Sequence, residues 1–236
     1  MESCTLDWPR EDMTLTARDG CRLSGWFFPA EKGSLRCRLV FLLLHGNAGN
    51  ICNRLGFYEA WLGLGVNVFS FDYRGYGASD GTPSEEGTYQ DAEAAYGWLM
   101  ARGFGAGNII VVGKSLGGGI ASELAFRAPI GALILQSIYT SIADVGADLF
   151  PFLPVRWLNR IKYHTSSKLP HIHVPVLVIH SREDKVIRFR HAERNFAAAN
   201  EPKMFWEIQG GHNDVLLAGR AGYLEGLEKF LQRHFK

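Results

Sequence analysis

The sequence predicts a doubly wound α/β fold: a mostly parallel sheet of eight strands, an antiparallel N-terminal edge and a small cap, all in one domain over residues 1–236. Three observations carry this. Apolar runs of strand length alternate with longer helical patterns along the chain, the order that gives parallel sheets with right-handed crossovers. From "RLVFLLLH" onward the runs are nearly unbroken Val, Ile, Leu and Phe, as strands covered on both faces require. Finally, 236 residues with 47% hydrophobic and 21% charged side chains are enough to bury a core without metals or disulfides.

Two strands, Met13–Arg18 and Cys21–Pro29, alternate polar and apolar residues around the turn "RDG", which predicts an edge hairpin. The buried-type strands follow at Arg38–His45, Val66–Asp72, Asn108–Gly113, Ala132–Ser137, Pro175–His180 and Lys203–Ile208. Helices are expected over Asn53–Leu64, Ser84–Arg102, Leu116–Arg127, His191–Ala199 and Arg220–Phe235. Ser84, followed by two acids, is a cap signal for the second of these. The stretch 140–174, with four prolines and many aromatics, is too long for a tight loop and too apolar for a solvated one. It reads as a cap over the sheet's carboxyl edge, the alternative being an ordinary crossover helix with long flanks.

Composition excludes some functions. A net charge of +1 provides no basic field for nucleic acid or an anionic membrane. The four cysteines, at 4, 21, 37 and 52, form no C-x-x-C pair and stand at no metal-ligand spacing with histidine, so free thiols and no metal are expected. "MESCTLDWPREDMTL" lacks the apolar core of a signal peptide or anchor, and "LVFLLLHG" is too short to span a bilayer. The expectation is a cytoplasmic protein, with peripheral membrane association if an N-terminal anchor is missing from the chain.

Ligands of open α/β sheets bind at the carboxyl ends of the strands, so the strand ends are where chemistry is sought. "VVGKSLGGGIASELA" places Ser115 in G-x-S-x-G between a strand and a helix, the context of a nucleophile elbow. Asp184 in "VLVIHSREDKVI" and His212 in "EIQGGHNDVL" each follow a strand of their own. Serine, then aspartate, then histidine supplies a nucleophile, an orienting carboxylate and a base near neutral pKa. Glu183, His180 and Asp214 are the neighbouring alternatives, with Asp184 and His212 preferred by position. The amides of Leu116 and Asn47 are the expected oxyanion donors; Ala48 is the alternative donor, with the Asn47 side chain then only bracing its loop. His45 is read as hydrogen-bonded to loop backbone, and Tyr73, Asp72, Arg74 and Asp80 as structural. Lys114 is read as a solvated surface lysine rather than as steering an anionic leaving group. Phe150, Phe152, Leu153, Trp157 and Val186 either line an acyl pocket or form the cap's own core.

Together "FLLLHGNAGN", "FDYRGYGASDGTPSEEG", "VVGKSLGG", "VLVIHSREDKVI" and "GGHND" resemble the α/β-hydrolase superfamily over nearly the whole chain, from about Thr14 onward. They look most like its minimally capped serine-hydrolase branch, which includes membrane-anchored depalmitoylase-like proteins. The resemblance implies Ser115 as nucleophile, Asp184 as acid and His212 as base, with Asn47 and Leu116 giving amides. No N-terminal cysteine cluster is present, Cys4 being isolated, so membrane localisation is not implied. The "GGG" after Leu116 either widens the pocket or eases helix packing. The expected activity is hydrolysis of small-molecule carboxylic esters of short to medium acyl chains through an acyl-serine, without cofactor, by a monomer or homodimer. A thioesterase or depalmitoylase, an acylglycerol lipase or a peptidase would use the same three residues, and a non-catalytic binding protein would keep only the fold.

Overall fold

The computed structural model describes residues 4–150, 152–153 and 161–235. Its strands are β1 (Glu11–Thr16), β2 (Arg22–Phe28), β3 (Val40–Leu44), β4 (Asn67–Phe71), β5 (Ile109–Lys114), β6 (Ala132–Gln136), β7 (Val176–His180) and β8 (Lys203–Glu207). They form one sheet in the order β1-β2-β4-β3-β5-β6-β7-β8. β1 pairs antiparallel with β2, and β2 antiparallel with β4, while every later pair is parallel. The eight expected strands and the antiparallel edge are all present. The chain order reverses about β3 and β5, which puts the end of β5 at the crevice where such sheets bind ligands.

The helices are α1 (Leu55–Leu62), α2 (Glu85–Ala101), α3 (Leu116–Arg127), α4 (Ile142–Leu149), α5 (Phe189–Ala198) and α6 (Val215–His234). Alternation along each strand divides the core into two layers. Val40, Leu42, Leu44, Ile109 and Val111 face Ala95 and Leu99 of α2 and Ile120 and Leu124 of α3. Phe41, Leu43, Ile110 and Val112 face Tyr58 and Trp61 of α1 and Leu227 and Phe230 of α6. Each of these fully buried side chains other than Ala95 contributes about 1.5–3 kcal/mol by leaving water. Ser84 caps α2 as expected, its hydroxyl accepting from Gly87 N–H at 3.1 Å.

The last helix and two of the cysteines need correction, and the 140–174 stretch carries a helix that either of its expected readings allows. The last helix starts at Val215, not Arg220, because its first turn is joined across a non-helical residue, Gly219, that breaks the sequence pattern. The 140–174 stretch contains a helix, α4, capped by Ser141, whose hydroxyl accepts from Asp144 N–H. Cys4 and Cys52 are joined as a disulfide, leaving Cys21 and Cys37 as the free thiols. The two are 48 residues apart at no recognisable spacing; folding of the N-terminal segment against the turn before α1 brings their Cα atoms to 5.4 Å. No helix among the described residues is long and apolar enough to cross a membrane.

Candidate active site

Ser115 stands between the end of β5 and the first residue of α3, with φ 51° and ψ −117°. A left-handed φ on a non-glycine residue is strained by order 1–3 kcal/mol, and the turn holds only because its surroundings admit nothing larger. A Cβ on Gly117 would sit 1.9 Å from the Leu44 carbonyl oxygen, so glycine lets α3 start directly against β3. A Cβ on Gly119 would meet Tyr163 Cβ at 2.7 Å and the Tyr139 hydroxyl at 2.8 Å. The small residues after the serine therefore serve packing.

His212 follows β8 and Asp184 follows β7. The Asp184 Oδ1 accepts the amides of Val186 at 2.9 Å and Ile187 at 2.8 Å, and its Oδ2 lies 2.7 Å from His212 Nδ1. His212 Nε2 lies 2.9 Å from Ser115 Oγ. An ionised carboxylate only accepts, so Nδ1 carries the proton and Nε2 turns its lone pair to the serine hydroxyl. Burial pushes the Asp184 carboxyl up, but the His212 hydrogen bond and the Ile187 amide outweigh it and hold the group below its ordinary value. The neighbours that compete on sequence are elsewhere engaged. Glu183 is exposed; His180 is buried, its Nε2 2.9 Å from the Ile187 carbonyl oxygen. Asp214 is exposed at the start of α6.

A cavity of about 440 Å³ opens beside Ser115. Its wall includes Asn47, Leu116 and Val186 together with Tyr76, Tyr139, Ile142, Val145, Ile161 and Tyr163. Asn47 Oδ1 accepts from the Tyr76 hydroxyl at 2.6 Å, so this side chain is a brace, as one of the sequence readings allowed. The backbone at Lys162 and Tyr163 is strapped down by Glu85, whose carboxylate accepts their amides at 2.7 and 2.8 Å. On the other side of His212 a cleft of about 630 Å³ is lined by Glu183, Lys185, Asn213 and Asp214, sharing Val186 with the first cavity.

Of the expected pocket residues that are described, Val186 alone is in the wall of this cavity. Phe150, Phe152 and Leu153, just beyond the C-terminal end of α4, are 56%, 96% and 57% exposed and are not part of the cavity wall. Trp157 lies outside the described residues. The residues that sequence reasoning passed over, Ile142 and Val145, carry an i, i+3 apolar signal on a helix that the proline-rich stretch concealed. His45 and Tyr73 are structural, as expected: His45 Nδ1 lies 2.8 Å from the Gly46 carbonyl oxygen, and the Tyr73 hydroxyl donates to the His45 carbonyl at 3.0 Å. Arg74 is paired to Asp91 and Asp19, and Asp80 to Arg22. Lys114 corrects the expectation of a solvated lysine. It is only 6% exposed, its Nζ donates to the His212 carbonyl at 3.3 Å, and burial beside Arg54 brings its ammonium down to about 8. It is buried because it continues the inward alternation of Ile110 and Val112 on β5.

Residues 40–167 match the family model described as alpha/beta hydrolase fold. The chain is 41% identical over 223 residues to an uncharacterized Mycobacterium tuberculosis protein, Rv2307c, covering 93% of this chain and 78% of that one. It is 37% identical over 242 residues to the human alpha/beta hydrolase domain-containing protein 17B, covering 95% and 80%. Among solved structures, the Pyrococcus furiosus esterase Pf2001 superposes with a TM-score of 0.79 at 21% identity, covering 97% of this chain and 94% of that one, a likeness of fold. With the elbow, the strand order and these relatives in agreement, the chain belongs to the α/β-hydrolase family.

Proposed function

We propose that this hydrolase cleaves carboxylic esters of short to medium acyl chains through an acyl-Ser115 intermediate. The observation that carries the reading is the relay from Asp184 through His212 to Ser115, at 2.7 and 2.9 Å, opening on a cavity walled by Ile142, Val145 and Ile161. Ser115 Oγ attacks the acyl carbon as His212 Nε2 takes its proton, and Asp184 stabilises the imidazolium. The tetrahedral oxyanion is received by the amides of Leu116 and Asn47. Neither amide donates to another group among the described residues, and the first turn of α3 adds its positive dipole end. Collapse expels the alkoxide, which takes the proton back from His212 and leaves through the cleft beside Lys185 and Asn213. Water then repeats the sequence on the acyl-enzyme and releases the acid. Helix α4, with Ile161 and Tyr163, acts as the cap that excludes water from the acyl chain.

The test is labelling by a fluorophosphonate followed by peptide mapping. The expected result is one adduct, on Ser115, with loss of p-nitrophenyl butyrate hydrolysis in step with labelling. Folded protein that hydrolyses no p-nitrophenyl ester from acetate to decanoate, and takes no label, would remove the reading.

A further inference from the structure

Lys114 is the polar side chain of the elbow that the proposed mechanism leaves without a role. Its backbone ends β5, and the next residue is the nucleophile. Its side chain leaves the sheet on the α1 side, passes the Phe57 ring with Nζ 5.8 Å from the ring centre, and donates to the His212 carbonyl. That bond is the only one made to the backbone of His212 among the described residues.

The arrangement is costly. A buried ammonium needs a carboxylate partner or a full set of acceptors to offset lost hydration. Among the described residues Lys114 has no carboxylate within ion-pair distance. The charged and titratable groups that act on it are Arg54, from the turn before α1, and Asp184, from the loop after β7. Arg54 is a second cation, and its own donated hydrogen bond goes to the Ala48 carbonyl. A methionine would fill the same space without the charge. The penalty therefore falls beside the nucleophile, where strain is retained when function needs it.

The tethered loop explains the need. His212 follows two glycines, Gly210 at φ 92° and Gly211, and glycine backbones resist bending little. Asp184 holds the imidazole from one side, but a ring fixed at one nitrogen still swings if its Cα moves. We propose that Lys114 is the positioning residue of the base, tying the His212 backbone to the strand end that carries Ser115. The Nε2–Oγ distance is then set by β5 itself rather than by the glycine loop. The inference rests on the hydrolase reading above.

The experiment compares wild type with Lys114→Met in steady-state hydrolysis of p-nitrophenyl butyrate, fluorophosphonate inactivation and thermal unfolding at pH 7. Misplacing a reacting group by about 1 Å lowers rates by up to ~100-fold. The expected result is a 10- to 100-fold fall in kcat at unchanged KM, an equal fall in the inactivation rate constant, and no lowering of the unfolding midpoint. A second variant, Lys114→Ala, separates the charged donor from mere bulk: added butylammonium raises its inactivation rate, and butanol of the same length does not. Rates for K114M within twofold of wild type, or equal rescue of K114A by amine and alcohol, would overturn the inference and leave the hydrolase reading intact. A wild type that takes no label and hydrolyses no ester would overturn both.

Discussion

Two histidine–aspartate pairs flank Ser115, and only their surroundings distinguish them. His45 follows β3 and Asp72 follows β4, which are neighbours in the sheet; His212 follows β8 and Asp184 follows β7, also neighbours. Each pair joins an imidazole to a carboxylate across two adjacent strand ends. His45 is fully buried, its ring 4.4 Å from that of Tyr73, with Nδ1 toward the Gly46 carbonyl and Nε2 3.4 Å from Asp72. Both nitrogens are directed into the fold. His212 gives Nδ1 to its carboxylate and keeps Nε2 for Ser115. Asp72 is likewise turned inward, accepting the Ile51 amide at 2.9 Å. An imidazole acts as a base only when one nitrogen is left facing a substrate space; with both turned inward it is a strut.

The largest expected effect tests that contrast directly. His212→Ala should lower kcat by about 10⁴-fold or more, while destabilising by about 1 kcal/mol, the net worth of the hydrogen bonds to Asp184 and Ser115 that it gives up. His45→Ala should do the reverse, destabilising by about 2 kcal/mol while the folded protein keeps its kcat within about tenfold. Urea unfolding and active-site titration of the same samples separate the two; an inert H45A with undiminished stability would erase the distinction.

Asp184→Asn comes next. The amide would keep the space but favour the wrong tautomer of His212, lowering kcat by about 10³–10⁴-fold. The same variant carries a pH signature. The folded Asp184 carboxyl is held below its ordinary value, so the unfolded chain binds the additional proton as pH falls, and its stabilising contribution is complete above the ordinary carboxylate range. Wild type should lose stability relative to D184N as pH drops below about 5. Chemical unfolding between pH 7 and 3 measures this, and parallel curves would contradict it.

Lys114 gives the opposite sign. Its folded pKa, about 8 against an ordinary 10.5, lies below the unfolded value, so its charge destabilises the fold at neutral pH. That penalty is relieved as pH rises from about 8 to 10.5, and wild type should then gain on Lys114→Met by about 3 kcal/mol. A difference independent of pH would show that the ammonium is not the cause. The smallest effect belongs to Tyr76→Phe. It removes the 2.6 Å brace on Asn47, a neutral hydrogen bond of about 1 kcal/mol, and should slow acylation by about fivefold while lowering the unfolding midpoint by no more than about 2–4 °C.

Much of this molecule could be read along its chain. Eight strands, the cap at Ser84, the elbow at Ser115 and the polar residues just after β7 and β8 are local patterns of hydrophobicity, glycine and polar type, and each is fixed within about ten residues. What escaped sequence reasoning depends on where distant segments meet. Phe150, Phe152 and Leu153 have the composition of a pocket but stand exposed, whereas Ile142 and Val145 face the serine because α4 presents that side. Cys4 and Cys52 carry no mark of pairing. Lys114 reads as a surface cation, since nothing within the elbow reveals that β5 is covered on both faces right to its end.

The sequence alone thus determined the order of elements and the chemical types available at each strand end, because periodicity and turn chemistry act over a few residues. Only the tertiary structure decided which imidazole turns a nitrogen to Ser115, which apolar side chains wall the cavity, and that Lys114 donates to the His212 carbonyl. Those outcomes depend on distances between segments about 100 residues apart, which packing sets and local propensity does not.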